Sequence, residues 1–313
     1  MSLTIGVDIG GTKIAAGVVD EDGKILTRTR RRTPNRDLDA VMAIVNDAIS
    51  ELATRHKITA IGVGTAGFVD TARARVMLAP NLGWTDAPLK ILIERASGLP
   101  TVIENDANAA AWGERRYGAG RGAEDVIAVT VGTGIGGGLI FGGVLYRGNH
   151  GMAAEVGHLC VEPGGRLCGC GLRGCWEQYS SGNALVRTAR ELASDRRAEA
   201  KVLLGLGDGT PEGVAGAHIT EAARLGDPVA LEAFAVTGDW LGRGMADLAA
   251  VLDPEAFVIG GGVSEAGDLL FVPTRASFLE NLTGRQHREP PELRLAELGN
   301  DAGIVGAADL ARY

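Results

Sequence analysis

Between Glu155 and Glu177 the chain gathers one histidine, all four of its cysteines and two carboxylates, as Glu155-Val-Gly-His158-Leu-Cys160 and Cys168-Gly-Cys170-Gly-Leu-Arg-Gly-Cys175-Trp-Glu177. A Cys-x-Cys pair, a third cysteine five residues on and an upstream histidine suit Zn²⁺, which takes thiolate and imidazole ligands in a tetrahedron. The intervening glycines let the backbone turn tightly around an ion. Disulfides are disfavoured, because the chain has 313 residues and no apolar stretch behind a charged N-terminus. Buried cysteines acting as small hydrophobes would not explain why all four cluster. The fourth ligand is open at this point: if Gly157 to Val161 is extended, His158 and Cys160 share a face, and either completes the set with Cys168, Cys170 and Cys175. A site closed by four protein ligands leaves no place for water, so the metal shapes the loop and holds Glu155 and Glu177 in position.

A second group of residues could bind phosphate. Asp8-Ile9-Gly10-Gly11-Thr12-Lys13 lies between two apolar runs, and Gly132-Thr133-Gly134 occupies the equivalent place further on. Backbone N–H groups in such glycine turns form anion-binding concavities, and two of them could grip a triphosphate from both sides. Thr12 and Thr133 add hydroxyl donors. Asp8, at a strand end, suits Mg²⁺, which favours carboxylate and water beside substrate phosphates, although an ordinary turn aspartate reads the same way. Gly260-Gly261-Gly262 follows a strand and precedes a helix; it could admit the nucleoside end of ATP, or simply allow close strand-to-helix packing. A dinucleotide fingerprint and a Walker loop both fail, since neither Gly-x-Gly-x-x-Gly nor Gly-Lys-Ser/Thr is present at these places.

The elements that must position these groups follow from periodicity. Leu3 to Asp8, a second run to Val19, an Asp22-Gly23 turn and a third run from Lys24 predict a strand meander. Leu38, Val41, Ile44, Val45, Ala48 and Leu52 fall on one face of a helix between Asp37 and His56. Strands are expected at Ile58 to Val63 and Pro100 to Glu104, the latter running into Asn105-Asp106 and an Ala-rich helix to about Arg116. Asp106 could be a plain N-cap there. Asp125 to Gly134 then restarts the opening pattern: Ile5, Val7, Gly10 and Gly11 match Ile127, Val129, Gly132 and Thr133 at a constant offset of 122 residues, as two related halves would. A long helix from Pro228 to Leu252, stopped by Asp253-Pro254, a strand at Ala256 to Ile259 and a last helix from Ala302 to Arg312 complete an α/β pattern.

Composition narrows the partners. The length suggests about two domains, and 45% hydrophobic residues supply a substantial core. A net charge of -8 gives no basic face for nucleic acid, and Arg28 to Arg32 reads as a solvated strand edge. Val126 to Tyr146 is uncharged over 21 residues, but seven are glycine, which suits strands and turns rather than a membrane helix. A soluble cytoplasmic protein without membrane or nucleic-acid partners is expected, and assembly as a homo-oligomer, dimer or tetramer.

These motifs, in this order, resemble the ROK family of sugar kinases and repressors, and especially its ATP-dependent glucokinases. The resemblance rests on Asp8 to Lys13, Glu104-Asn105-Asp106-Ala-Asn-Ala110, Gly132-Thr133-Gly134, Glu155-x-Gly157-His158 and Cys168-x-Cys170-Gly-x-x-Gly174-Cys175-x-Glu177. It implies a duplicated actin-like, hexokinase-type (ribonuclease H-like) ATPase fold of two α/β domains around a cleft. The small domain would hold residues 1–107 and about 300–313, and the large one, with the zinc loop, residues 108–299. It implies transfer of the γ-phosphate of MgATP to the 6-hydroxyl of glucose, with Asp106 as the base. It assigns sugar contacts to Gly67, Asn105, Asp106, Glu155, His158 and Glu177, and ATP contacts to Asp8, Gly10, Gly11, Thr12, Lys13, Gly132, Thr133, Gly134, Gly260, Gly261 and Gly262. Zinc goes to His158, Cys168, Cys170 and Cys175, which leaves Cys160 aside. Kinases for other hexoses or N-acetylhexosamines share this framework. Family repressors carry a helix-turn-helix before the first phosphate loop, for which the residues ahead of Asp8 leave no room.

Overall fold

The computed structural model describes residues 2–34 and 37–313. Its strands are β1 (Leu3–Ile9), β2 (Lys13–Val19), β3 (Ile25–Arg32), β4 (Ile58–Thr65), β5 (Phe68–Val69), β6 (Val76–Ala79), β7 (Trp84–Ala87) and β8 (Thr101–Asn105). They continue as β9 (Val126–Val131), β10 (Ile135–Phe141), β11 (Val144–Tyr146), β12 (Ala256–Gly260) and β13 (Glu292–Leu295). The helices are α1 (Leu38–Ala53), α2 (Leu89–Ser97), α3 (Asp106–Tyr117), α4 (Glu177–Ser180) and α5 (Gly182–Asp195). After them come α6 (Lys201–Leu206), α7 (Gly216–Arg224), α8 (Pro228–Leu252), α9 (Asp268–Asn281) and α10 (Ala302–Leu310).

Two five-stranded sheets repeat one topology. The first runs β3-β2-β1-β4-β8 and the second β11-β10-β9-β12-β13. In the first, β1 to β3 form an antiparallel meander while β4 and β8 add in parallel; in the second, β10 and β11 are antiparallel and β12 and β13 parallel. This is the duplicated, actin-like and hexokinase-type arrangement. A small antiparallel sheet, β5-β6-β7, branches off after β4. By compactness the chain divides into one unit of residues 1–128, 137–154 and 296–313 and another of residues 129–136 and 155–295.

In the first unit α1 covers one face of the first sheet with Val41, Met42, Val45, Ala48, Ile49 and Leu52, all buried. The C-terminal helix α10 approaches the sheet backbone to backbone. A Cβ at Gly6 would lie 1.9 Å from the Ile304 carbonyl oxygen, and one at Gly62 1.7 Å from that of Ala307. Gly306 meets α3 in the same manner, 1.7 Å from the Ala109 oxygen. No side chain larger than hydrogen fits these crossings. The basic run on β3 alternates in exposure along an edge strand, as expected for a solvated border.

In the second unit α8 begins where Asp227 accepts from the Val229 and Ala230 N–H groups and Pro228 takes the first turn, the usual place for proline. It stops at Asp253, which adopts a left-handed conformation ahead of Pro254. Two glycines on α8 bring α9 close: a Cβ at Gly238 would sit 2.8 Å from the Pro273 ring, and one at Gly242 2.4 Å from the Thr274 oxygen. Gly244 leaves space for the fully buried indole of Trp176, whose Nε1 donates to the Trp240 carbonyl at 2.8 Å. Among the described residues no helix is long and apolar enough to cross a membrane.

Candidate active site and metal centre

Strands β1, β4 and β8 are parallel neighbours, with Asp8 opposite Gly64 and Asn105 opposite Thr65. Their carboxyl ends therefore deliver Asp8 and Asp106 to one edge, the place where open α/β sheets bind ligands. Gly64 lies between them, its Cβ position 3.6 Å from the Asp106 Cα, an ordinary packing distance. Asp106 is the first residue of α3, and the helix is capped by Asn105, not by Asp106: Asn105 Oδ1 accepts from the Asn108 N–H at 3.0 Å. Asn105 Nδ2 donates to the Gly67 carbonyl at 3.1 Å, where Gly67 holds φ of 113°. A single side chain thus caps the helix and fixes the neighbouring turn.

Both carboxyls are half-buried. Burial pushes Asp8 up to about 6, with the nearby Asp106 charge adding to the rise and Lys13 opposing it. Burial likewise raises Asp106 above the ordinary carboxylate range, against backbone donation from Ala107, whose N–H lies 2.9 Å from Oδ1. Behind the junction is Glu104, 1% exposed, which no periodicity in the sequence marks as special. Its Oε1 accepts from the Asn105 N–H at 3.0 Å and from Asn108 Nδ2 at 3.1 Å. Arg147 Nε lies 3.1 Å from Oε1 and 2.9 Å from Oε2, and Arg73 Nε 3.3 Å from Oε2.

The glycine loops share a local design. In the first, the Gly10 N–H donates to the Lys13 carbonyl at 2.9 Å and Thr33 Oγ1 to the Gly10 carbonyl at 2.7 Å, closing the turn, while Gly11 and Thr12 are exposed. Lys13 Nζ reaches Asn300 Oδ1 at 3.4 Å. In the second, the Gly132 N–H donates to the Gly134 carbonyl, the Gly132 carbonyl accepts from the Gly182 N–H at the start of α5, and Thr133 is exposed. In the third, Gly261 has φ of 86° and backs onto the Val131 oxygen, 2.6 Å from where its Cβ would be. Each loop also holds a glycine with open space: a Cβ at Gly11, Gly132 or Gly262 would meet no described atom within 4 Å. Packing therefore explains Gly261 but not Gly262, and leaves accessible backbone at all three turns, the feature an anion needs. Gly260 is buried at the end of β12.

The cysteine loop forms a compact centre. His158, Cys168, Cys170 and Cys175 present ligand atoms that all lie within 4.8 Å of one another. Cys170 Sγ is 3.6 Å from Cys175 Sγ, and His158 Nδ1 is 3.6 Å from Cys168 Sγ. Zinc–sulfur bonds of about 2.3 Å imply tetrahedral edges of about 3.8 Å, so the donor set fits the ion in both chemistry and spacing. Cys160 is outside this group, with Sγ 3.7 Å from the Arg173 carbonyl. The condition for His158 and Cys160 to share a strand face, extension from Gly157 to Val161, is not met. Val156–His158 is a 3₁₀ turn, pressed against β10 so that a Cβ on Gly157 would meet the Ile135 oxygen at 2.3 Å. His158 and Cys160 consequently do not share a strand face.

Three expected sugar contacts surround that centre. His158 Nε2 lies 4.0 Å from Glu155 Oε2, so the imidazole presents one nitrogen to the thiols and the other toward a carboxylate. Cys168 Sγ donates to Glu177 Oε1 at 3.0 Å. Burial pushes the Cys168 thiol up to about 12, and the Glu177 carboxylate adds to this; a bound cation would displace that proton. Glu177 Oε2 also lies over Gly134, 2.5 Å from a Cβ placed there.

Comparison with known proteins bears on this arrangement directly. The model of the ROK family matches residues 4–313. The chain belongs to the ROK family. Glucokinase of Streptomyces coelicolor is 52% identical over 312 residues, covering 100% of this chain and 98% of that protein. Glucokinase of Thermotoga maritima is 38% identical over 98% of this chain and 96% of that protein. The crystal structure of a ROK family glucokinase from Streptomyces griseus, in complex with glucose and AMPPNP, is similar with a TM-score of 0.92 and 54% identity, covering 99% of both chains.

Proposed function

We propose that this ROK protein is an ATP-dependent glucokinase, transferring the γ-phosphate of ATP to the 6-hydroxyl of glucose. The single observation that carries the reading is the 54% identity, over 99% of both chains, to a glucokinase crystallised with glucose and AMPPNP. In this reading Asp106 takes the proton from the attacking hydroxyl. A raised proton affinity makes it a stronger base than an exposed carboxylate, and phosphoryl transfer otherwise requires positioning and charge stabilisation. Asn105, Gly67, Glu155, His158 and Glu177 bind the sugar hydroxyls. The loops at Gly10 to Lys13, Gly132 to Gly134 and Gly260 to Gly262 bind ATP.

Asp8 would hold Mg²⁺, which neutralises charge on the phosphates. His158, Cys168, Cys170 and Cys175 would hold zinc, whose part is to fix the loop that carries Glu155 and Glu177 rather than to act on substrate. Assembly as a dimer or tetramer and a cytoplasmic location belong to the same proposal; sedimentation of the purified protein tests the first.

The test is an ADP-release assay across glucose, mannose, fructose, N-acetylglucosamine and N-acetylmannosamine, with ATP and polyphosphate compared as donors. Glucose with ATP is expected to give the highest kcat/KM. Asp106→Asn is expected to lower kcat by about 10²–10⁴-fold, the usual worth of a general base, with little change in glucose binding. A different preferred sugar would overturn the substrate, and an active Asp106→Asn enzyme would overturn the base.

A further inference from the structure

We infer that Arg147 is a positioning residue for phosphoryl transfer, locking the Glu104 carboxylate, and with it the Asn105–Asp106 junction, to the segment that follows Gly67. The inference rests on the proposed function, since it concerns how the base is held. The geometry is a set of parallel ties between two pieces of chain. On one side is the end of β8, where Glu104 Oε1 accepts the N–H of Asn105, the residue immediately before Asp106. On the other is the stretch from Gly67 to Arg73. Asn105 Nδ2 joins them through the Gly67 carbonyl at 3.1 Å, and the Ile103 N–H through the Arg73 carbonyl at 3.0 Å. Arg147 makes the central tie: Nε holds Glu104, Nη2 donates to the Asp70 carbonyl at 2.9 Å and the Val69 carbonyl at 3.3 Å, and Nη1 donates to the Thr71 carbonyl at 3.3 Å.

Only a planar fork can serve a carboxylate and three carbonyls together; a lysine ammonium is a point donor. Stability alone is a poor reason to keep such a cluster, because buried ion pairs are often no better than well-packed apolar groups. Its specific product is geometric. The Glu104 carboxylate, 1% exposed, holds the Glu104–Asn105 peptide, one residue ahead of Asp106, and Arg147 sets that carboxylate.

Arg312 offers a control of the same construction in the same unit. Its Nη1 donates to the buried Asp309 carboxylate at 2.9 Å and its Nη2 to the Val19 and Asp20 carbonyls at 2.9 and 2.7 Å, and none of its recorded partners belongs to the proposed site. Arg147→Ala, Arg147→Lys, Arg312→Ala and Asp106→Asn are assayed in parallel, each well below its own Tm. Arg147→Ala is expected to lose about 10²-fold in kcat, as displacement of a catalytic group by about 1 Å costs, and to recover in part with added guanidinium ion. Arg147→Lys keeps the buried charge and so the fold, but is expected to lose kcat as well. Arg312→Ala is expected to lower Tm and leave kcat unchanged. Wild-type kcat in either folded Arg147 variant would overturn the inference, as would an equal loss in Arg312→Ala. An active Asp106→Asn enzyme would overturn the proposed function instead, whereas inactive Asp106→Asn beside fully active Arg147 variants would overturn this inference alone.

Discussion

Replacing Asp8 by asparagine should stabilise the ligand-free protein, and by an amount that depends on pH. Asp8 titrates near 3.8 when unfolded and is pushed up to about 6 in the fold, first by burial and then by Asp106. The folded state thus binds its proton more tightly. Below pH 3.8 both states are protonated and there is no penalty; as pH rises through 6 the fold must accept a half-buried charge. At about 1.4 kcal/mol per pH unit, the full cost above this window is about 3 kcal/mol, of which about 2 kcal/mol develops between pH 4.5 and 7.5. Asn cannot ionise, so the stability advantage of Asp8→Asn over the wild type should grow by that amount across the interval. Urea unfolding of both proteins at the two pH values, in magnesium-free buffer, measures it, and any effect on the zinc loop cancels in the difference. An advantage that stays constant from pH 4.5 to 7.5 would refute the account of Asp8 as a carboxylate held against its own charge. The same variant should use MgATP poorly, so that stability and activity move in opposite directions.

Metal analysis of the purified protein should find about one zinc per chain, as a closed tetrahedral site requires; His158→Gln should release it and Cys160→Ser should not, and the opposite pattern would exchange their roles. Asn105→Asp keeps the cap acceptor for α3 but sets a carboxylate oxygen against the Gly67 carbonyl in place of a donor 3.1 Å away, so Tm should fall and the KM for glucose should rise; an unchanged Tm would refute the account of Asn105 as the group that fixes the Gly67 turn. Gly244→Ala drives a Cβ to within 2.2 Å of the Trp176 ring and should cost about 1–3 kcal/mol in denaturant unfolding, the range for overpacked cores, with Trp176 fluorescence reporting the displaced indole.

What the sequence makes legible is local or repeated. The meander from Leu3 to Arg32 and its echo from Val126 to Tyr146 share a period and a spacing, so both sheets could be anticipated, and α8 carries proline and aspartate at its ends. The β5-β6-β7 sheet has strands of two to four residues, too short for alternation to register. Gly157 to Val161 shows why short glycine segments leave the backbone open in sequence: tight packing on Ile135, a residue distant in sequence, accompanies a 3₁₀ turn at Val156–His158. Asn105 and Asp106 are adjacent, and only the side-chain geometry separates the cap from the carboxylate it presents. The tie of Arg73 and Arg147 to Glu104 is invisible in sequence because its members come from three separate segments.

The seating of α10 against Gly6, Gly62 and α3 has a consequence for how the protein is made. Strand β1 (Leu3–Ile9) is translated about 290 residues ahead of α10 (Ala302–Leu310), the helix that covers it. At ~5–20 residues per second, about 15–60 s separate the two. Throughout that interval the first sheet has one face without its covering helix, and the intervening residues of the second unit can already be folding. The nascent chain therefore offers chaperones a defined client surface, the glycine-lined face of β1 and β4, which closes only when α10 arrives.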